Sequence, residues 1–474
     1  MKILLATRDN PYESLTGVAT YVRNLAKGLM QNGHSVSHIY GSFRSRYLHP
    51  YLDWSERYGV SAVNIVNSPL HSPLSQDNPM QDARHPMLEQ LFEEALLRIM
   101  PDLIHIHDTS GTPASIVLVA KKHHCPVAIT FHDFWPFCRQ LAFVRPGLLP
   151  CEGSDGGRNC ALYCSAPPQG LRRLLQHLEA IGLPYRLREK LRRIARLRPS
   201  INGQGGSQFV NRVSAPRRLR ADSHVESFYV EREALIREAL VSATTLLTVS
   251  QFAKSMYIKH GYPPHRIRVV SLSSSFADRV RRRLRKFRGY PVRFGFLGRV
   301  TPWKGAHVLA EAIRGIPPEC GRFTFYGAVE DRDRRFLTSL SGGHPGIQFH
   351  GRYTYDQLEK ILSDMDVMIF PSVMSESFGL VGLEAQASGL PVIGSDLGAI
   401  PEFVEHGING LLFSPGIPSS LRAEIMRVIQ QPDLISHLSA NARTARPMKE
   451  HISEIERVYQ EAVTPALSPT EIRT

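Results

Sequence analysis

The stretch that most constrains this chain runs from Val367 to Ser395, VMIFPSVMSESFGLVGLEAQASGLPVIGS. Val367 to Phe370 is a short apolar run of buried-strand type, stopped by Pro371 and Ser372. Phe378 to Ala387 can continue as a helix ending near Gly389, and Pro391 to Ile393 opens a second apolar strand. Two such runs joined by a helix make a right-handed βαβ unit. Its loop and helix N-terminus lie at the carboxyl ends of the strands, the edge where open α/β sheets bind ligands. Glu376 lies in that loop, and Glu384 follows eight residues later. At about 100° per residue, a helical pair at that spacing stands only about 80° apart, roughly two turns along the axis. One carboxylate can meet a ligand at the helix start while the other reaches it from the second turn. Spacing alone does not separate this from a solvated helix face.

The full string is more specific. A glutamate, then Phe378-Gly379, then a second glutamate eight positions after the first, then Ser388-Gly-Leu-Pro-Val392, resembles the signature of retaining glycosyltransferase family 4. The resemblance implies an α/β GT-B fold: two doubly wound Rossmann-like domains facing a central cleft. It also implies a nucleotide-sugar donor. In that family pattern Glu384 holds the ribose hydroxyls, while Glu376 and the amides of Phe378, Gly379 and Leu380 hold the donor sugar and phosphate.

At 474 residues the chain has room for two or three domains, each with its own core. Its 42% hydrophobic and 21% charged content is ordinary for a soluble globular protein. Arg8 and Asp9 come too early for a signal-peptide core, and no run approaches the ~18 apolar residues of a membrane span. A cytoplasmic protein is expected, either free or peripheral on the cytosolic membrane face. The net charge of +14 is local: residues 171–220 carry +11 and residues 279–288 carry +7, so the remainder is mildly acidic.

The expected N-terminal domain is 1–275, with an insertion at about 138–240. Lys2 to Ala6 opens it as a strand, followed by a turn-rich loop, a helix through Val18 to Leu29, and a strand at Val36 to Tyr40. Such strand–glycine–helix openings can hold a phosphate, or can be no more than tight turns. The family usually has a glycine pair here, where this chain has Thr16-Gly17; Gly17 is the candidate contact. Residues 41–85 resist placement. Strands at Leu103 to His107 and Val127 to Phe131 follow, the second ending in His132-Asp133-Phe134-Trp135. That string resembles the His-Asp-x-Trp of a subset of family 4 and makes His132 a candidate donor-sugar contact. Elsewhere a histidine so placed is usually a satisfied structural residue. The sequence TVSQFAKSMYIKHGYPPHRIRVVSL resembles the end of the family's first domain, but Ser273-Ser274-Ser275-Phe276 replaces its usual Asn-Gly-containing continuation.

Residues 276–291 read as a basic linker with an exposed hinge at Arg279 to Arg288. Residues 292–447 read as the nucleotide-sugar-binding domain, and 448–474 as a helix and tail crossing back to the first domain. Val292 to Gly298 is a strand, then Arg299 and Lys304 follow with Thr301 as a candidate N-cap and Pro302 at the first helical position. A cation in a first helical turn opposes the helix dipole unless an anion lies beside it. The family sets an arginine and a lysine at this spacing against the donor diphosphate, and this chain keeps both. Two aspartate pairs, Asp331/Asp333 and Asp364/Asp366, imitate a metal-holding pattern. The first reads as an exposed helix start and the second lies at the sheet edge away from the ligand. The expected chemistry therefore requires no cofactor: Arg299 and Lys304 neutralise the leaving diphosphate. The family mechanism is front-face transfer with retained configuration. The acceptor is expected to be a saccharide or lipid-linked.

Four of six cysteines fall within 27 residues: Cys138, Cys151, Cys160 and Cys164. They are either ligands of a structural zinc or iron, or independent thiols. A basic amphipathic pattern with Leu187, Leu191 and Ile194 on one side and seven Lys/Arg between Arg186 and Arg198 around it suits an anionic membrane surface or an anionic acceptor. A solvated helix packed on the first domain would show the same pattern. Nucleic acid is not expected as a partner, since residues 171–220 offer only Tyr185 and Phe209 for stacking. The rival class is an inactive GT-B-like binding subunit using its basic segments to hold an anionic partner. Arg299, Lys304, Glu376 and Glu384 kept together argue against it.

Overall fold

The computed structural model describes residues 1–14, 16–42, 49–70, 79–141, 143–145, 148–164 and 223–464. The basic amphipathic stretch of residues 171–220 lies outside them. Eight strands form the first sheet: β1 (Lys2–Thr7), β2 (Ser35–Ser42), β3 (Tyr51–Arg57), β4 (Val60–Val66), β5 (Leu103–Ile106), β6 (Val127–Phe131), and further on β9 (Thr245–Thr248) and β10 (Ile267–Val269). Between them β7 (Val144–Arg145) and β8 (Leu149–Pro150) make a small separate hairpin. The sheet order is β10-β9-β6-β5-β1-β2-β4-β3. All neighbours are parallel except the edge pair β3 and β4. Inner strands such as β5 and β6 are buried along their whole length, as parallel strands covered on both faces must be. The antiparallel edge strand β3 is half-buried to exposed. It lies in the part of the sequence whose polar composition hides strand periodicity.

The second sheet has six parallel strands: β11 (Val292–Leu297), β12 (Gly321–Tyr326), β13 (Ile347–Gly351), β14 (Val367–Phe370), β15 (Val392–Ser395) and β16 (Gly410–Phe413). Their order is β13-β12-β11-β14-β15-β16. The chain winds outward from β11 through β12 and β13, then returns to β14 on the other side. The switch point therefore lies between β11 and β14, where such sheets open a ligand crevice. Two apolar clusters cover this sheet.

The helix Met448–Val463 contributes Met448, Ile452, Ile455, Val458 and Tyr459 to the first domain's core. Its close approach is set by Gly28, where an added Cβ would fall 1.8 Å from Ile452 Cδ1. The helix thus packs with the strands and helices of the first sheet. The basic linker, read as an exposed hinge, is exposed at most of its positions and anchored at a few. Ser275–Arg279 is a short helix with Phe276 buried. Arg282, Arg285 and Arg288 then lie against helix ends of the second domain. Arg282 donates to the carbonyls of Ser439 and Ala440, Arg288 to those of Ser363 and Met365, and Arg285 is 7% exposed. Cations at helix carboxyl ends complement both the dipole and the unpaired carbonyls.

Candidate active site

The loops after β11 and β14 are fastened to each other at the switch point. Val373 N–H donates to Trp303 O at 2.9 Å, and Gly305 makes the approach possible. Its φ is +71°, and a Cβ there would lie 1.6 Å from Pro371 O, so no other residue fits. This glycine also corrects the expected helix start. Pro302–Lys304 is a separate 3₁₀ turn without a Thr301 side-chain cap, and the α-helix begins at Ala306. Lys304 is therefore not in an α-helical first turn. The anion beside it is nevertheless present: Lys304 Nζ donates to Glu376 Oε1 at 2.6 Å. The same oxygen accepts Ser372 Oγ at 2.7 Å, and Lys304 lies 5.9 Å above the Phe370 ring. Glu376 is buried, and its carbonyl accepts Ala399 N–H at 2.9 Å from the loop after β15. Arg299 is exposed two residues beyond β11.

Phe378 and Gly379 are half-buried. The helix starts at Leu380, two residues later than the sequence pattern suggests, because Gly379 adopts φ +88° at the N-cap. The first amides of such a helix have no intrahelical acceptor, so Leu380 stands where a backbone donor is useful. Glu384 is 3% exposed in the second turn. Burial pushes its carboxyl up to about 7, against hydrogen bonds from Tyr355 and Ser274 and the charge of Arg279. Tyr355 O–H donates to Glu384 Oε1 at 2.7 Å.

Across the cleft, His132 follows β6 and is buried. Its Nε2 lies 3.2 Å from His107 Nδ1. Burial lowers His132 to about 3, so its ring is neutral at any ordinary pH. Burial, with Asp108 adding to it, raises Asp133 to about 7. Ser377, between the two motif residues Glu376 and Phe378, joins the domains: its Oγ donates to His132 O at 2.5 Å and its carbonyl accepts Ser250 Oγ at 2.6 Å. Beside it, Glu402 accepts the N–H groups of Gln251 and Phe252 at the start of Gln251–Lys259. Ser377, Ser372, Ser274 and Tyr355 carry no signal in the sequence, since isolated serines and a loop tyrosine mark no chemistry until the fold aims them. Gly17 opens the helix Gly17–Gln31 behind an N-cap by Thr16, whose Oγ1 accepts Ala19 N–H at 3.3 Å. A Cβ at Gly17 would meet nothing within 4 Å. Space therefore does not demand glycine there.

Asp366 is buried beneath Arg293 and Arg288, at 2.7 Å and 3.1 Å, at the start of β14. Asp333 is buried rather than exposed. Cys138, Cys151, Cys160 and Cys164 are all free thiols and line one small cavity with Phe137, Phe143 and Tyr163. Cys160 and Cys164 hydrogen-bond to each other. Among the described residues no three His, Cys, Asp or Glu side chains are arranged to hold a metal ion. No helix of the described residues is long and apolar enough to cross a membrane.

Family models match both halves of the chain, glycosyltransferase family 4 over residues 15–199 and glycosyl transferases group 1 over residues 291–431. The chain belongs to the GT-B glycosyltransferase family. The amylovoran biosynthesis glycosyltransferase AmsK of Erwinia amylovora is 27% identical over 221 residues, 44% of this chain and 53% of that protein. A D-inositol 3-phosphate glycosyltransferase of Corynebacterium glutamicum is 32% identical over 203 residues, 38% and 48% of the two chains. The match thus spans about half the length of these curated relatives. Among solved structures, sucrose-phosphate synthase of Thermosynechococcus elongatus superimposes with a TM-score of 0.63 at 16% identity, over 97% of this chain and 98% of that one. Anabaena HepE in complex with UDP superimposes with 0.60 at 14% identity, over 97% and 100%. At such identities the superpositions establish the GT-B fold alone.

Proposed function

We propose that this GT-B protein is a retaining glycosyltransferase moving a sugar from a nucleotide-sugar donor to a saccharide or lipid-linked acceptor without a catalytic metal. The observation that carries the reading is the Lys304–Glu376 pair at the switch point, 2.6 Å apart and opposite His132. Glu384 binds the ribose hydroxyls. Arg299, Lys304 and the amides at Gly379 and Leu380 hold the diphosphate and neutralise the charge that grows on it as the glycosidic bond breaks. Glu376 is held by Lys304 and Ser372, an arrangement suited to orienting sugar hydroxyls rather than attacking carbon. The acceptor then enters on the face the diphosphate leaves, and a phosphate oxygen takes its proton. His132, neutral and buried, is a hydrogen-bonding contact and not a proton carrier. Gly17, at the start of its helix, is a lesser candidate contact in this reading.

Relatives guide the choice of ligands. HepE has been solved with UDP-glucose, and AmsK is named for amylovoran biosynthesis. Uridine nucleotide sugars therefore head the screen, with polysaccharide or lipid-linked acceptors after them. In this reading the enzyme works in the cytoplasm, free or on the membrane face. The four cysteines are either structural ligands of zinc or iron or independent thiols, and the free thiols, not arranged to hold an ion among the described residues, favour the second; neither has a part in the chemistry. The deciding experiment measures donor hydrolysis and thermal stabilisation across a panel of nucleotide sugars. One donor should both stabilise and turn over. Stabilisation by none, or binding without turnover for any acceptor, would favour the inactive binding subunit.

A further inference from the structure

Glu384 is tied to the passage between the domains. Its Oε1 accepts Tyr355 O–H at 2.7 Å, and the Tyr355 oxygen accepts Phe276 N–H at 3.2 Å. Ser274 also hydrogen-bonds to Glu384. Ser274 and Phe276 lie in the connection from β10 to β11, at the short helix Ser275–Arg279. Arg279 of that helix stands over the Tyr355 ring at 5.3 Å. A capping box between Thr354 and Gln357 fixes the turn that carries Tyr355. Thus one tyrosine joins a buried carboxyl to a backbone amide of the connecting segment.

The direction of these bonds matters. An N–H donating to a hydroxyl makes that hydroxyl a better donor to the next acceptor. A carboxylate has about four lone-pair sites; Tyr355 and Ser274 occupy two, leaving two for the paired hydroxyls of a ribose. Burial works against the charged form of Glu384, while Tyr355, Ser274 and Arg279 favour it; Tyr353 also faces it. Moving the connecting segment away would weaken the charged carboxylate, and with it the acceptor that a diol needs.

We propose that Tyr355 is a positioning residue that couples nucleotide binding at Glu384 to the setting of residues 274–276. The proposal rests on the reading of Glu384 as the ribose ligand. Such coupling is reciprocal: the nucleotide firms the connecting segment, and a loosened segment weakens the nucleotide.

The test compares the full chain with Tyr355→Phe, which removes one oxygen, and Ser274→Ala. UDP, ADP and GDP are titrated by calorimetry from about pH 5.5 to about pH 8.5, and hydrogen exchange is followed over residues 271–280. For wild type, binding of at least one nucleotide should tighten as pH rises through about 7 and should protect the segment. Tyr355→Phe should bind about tenfold more weakly, shift the rise to higher pH and lose the nucleotide-dependent protection, with its thermal midpoint little changed. Ser274→Ala should move the same way, and decides the matter if the first variant folds poorly. Wild-type affinity, pH profile and protection in the variants would overturn this coupling while leaving the ribose assignment intact. Failure of all three nucleotides to bind wild type would overturn both.

Discussion

Lys304 donates to Glu376, yet the proposed chemistry also asks it to face a diphosphate. The pair therefore has two jobs, and replacing either partner leaves the other with an unpaired charge in a half-buried setting. Lys304→Ala should lower kcat by about 10²–10³, the usual cost of removing a preorganised group from developing charge. Glu376→Gln keeps the shape and the Ser372 contact but frees Lys304. It should reduce turnover about 100-fold while changing nucleotide affinity little. Steady-state transfer and nucleotide titration on folded variants check both, and near-wild-type turnover in either would remove the pair from the mechanism.

At the scale of elements, Asp366, immediately before β14, joins Arg293 of β11 to Arg288 of the arginine-rich connecting segment. Burial alone would raise its carboxyl, but hydrogen bonds from the side chain and backbone N–H of Arg293, together with the charge of Arg288, hold it below the ordinary aspartate value. Its stabilisation is thus complete above the unfolded aspartate value near 4 and is lost as pH falls through its lower folded value. Asp366→Asn should cost about 2–3 kcal/mol at neutral pH, seen as an earlier denaturant midpoint, with the difference from wild type shrinking in acid. A difference that persists unchanged at low pH would point to packing rather than charge. The cysteine loop gives a second element-scale expectation. Elemental analysis should return folded protein without stoichiometric zinc or iron, since the four thiols are not arranged to hold an ion; about one metal per chain would make the cavity a structural site. The strands and helices around the cleft were legible because parallel strands are long apolar runs and the Glu376–Glu384 loop has a fixed spacing. The edge strand β3 was not, since polar residues on both of its faces leave no alternation. The placement of Lys304 was misjudged for a local reason: Gly305 reads as an ordinary helix residue until Pro371 O is seen beside it. Tyr355 and Ser377 act through contacts 29 and 245 residues away in sequence, beyond any local pattern.

For the molecule as a whole, charge and architecture separate. Residues 171–220 hold 13 Lys/Arg against 2 acids and belong to the insertion in the first domain, far in sequence from the β11–β14 switch point. Anionic vesicles should therefore sediment the protein through this segment, with each Lys/Arg near the surface contributing about 1 kcal/mol. Changing Arg188, Arg192, Arg193 and Arg196 to Gln should release it, as should added salt, without altering turnover on a soluble acceptor. Sedimentation indifferent to lipid charge, salt and these changes would defeat that expectation.

Ser377 carries a consequence for anyone redesigning the donor preference. The five residues from Ser375 to Gly379 contain both the carboxyl proposed to face the sugar and the hydroxyl that latches onto the opposite lobe. A graft of this loop from another enzyme would import a foreign clasp along with a foreign sugar contact. Altered substrate choice obtained that way should come with altered opening and product-release rates, unless the receiving backbone at His132 and the Ser250 hydroxyl are matched to the transplant.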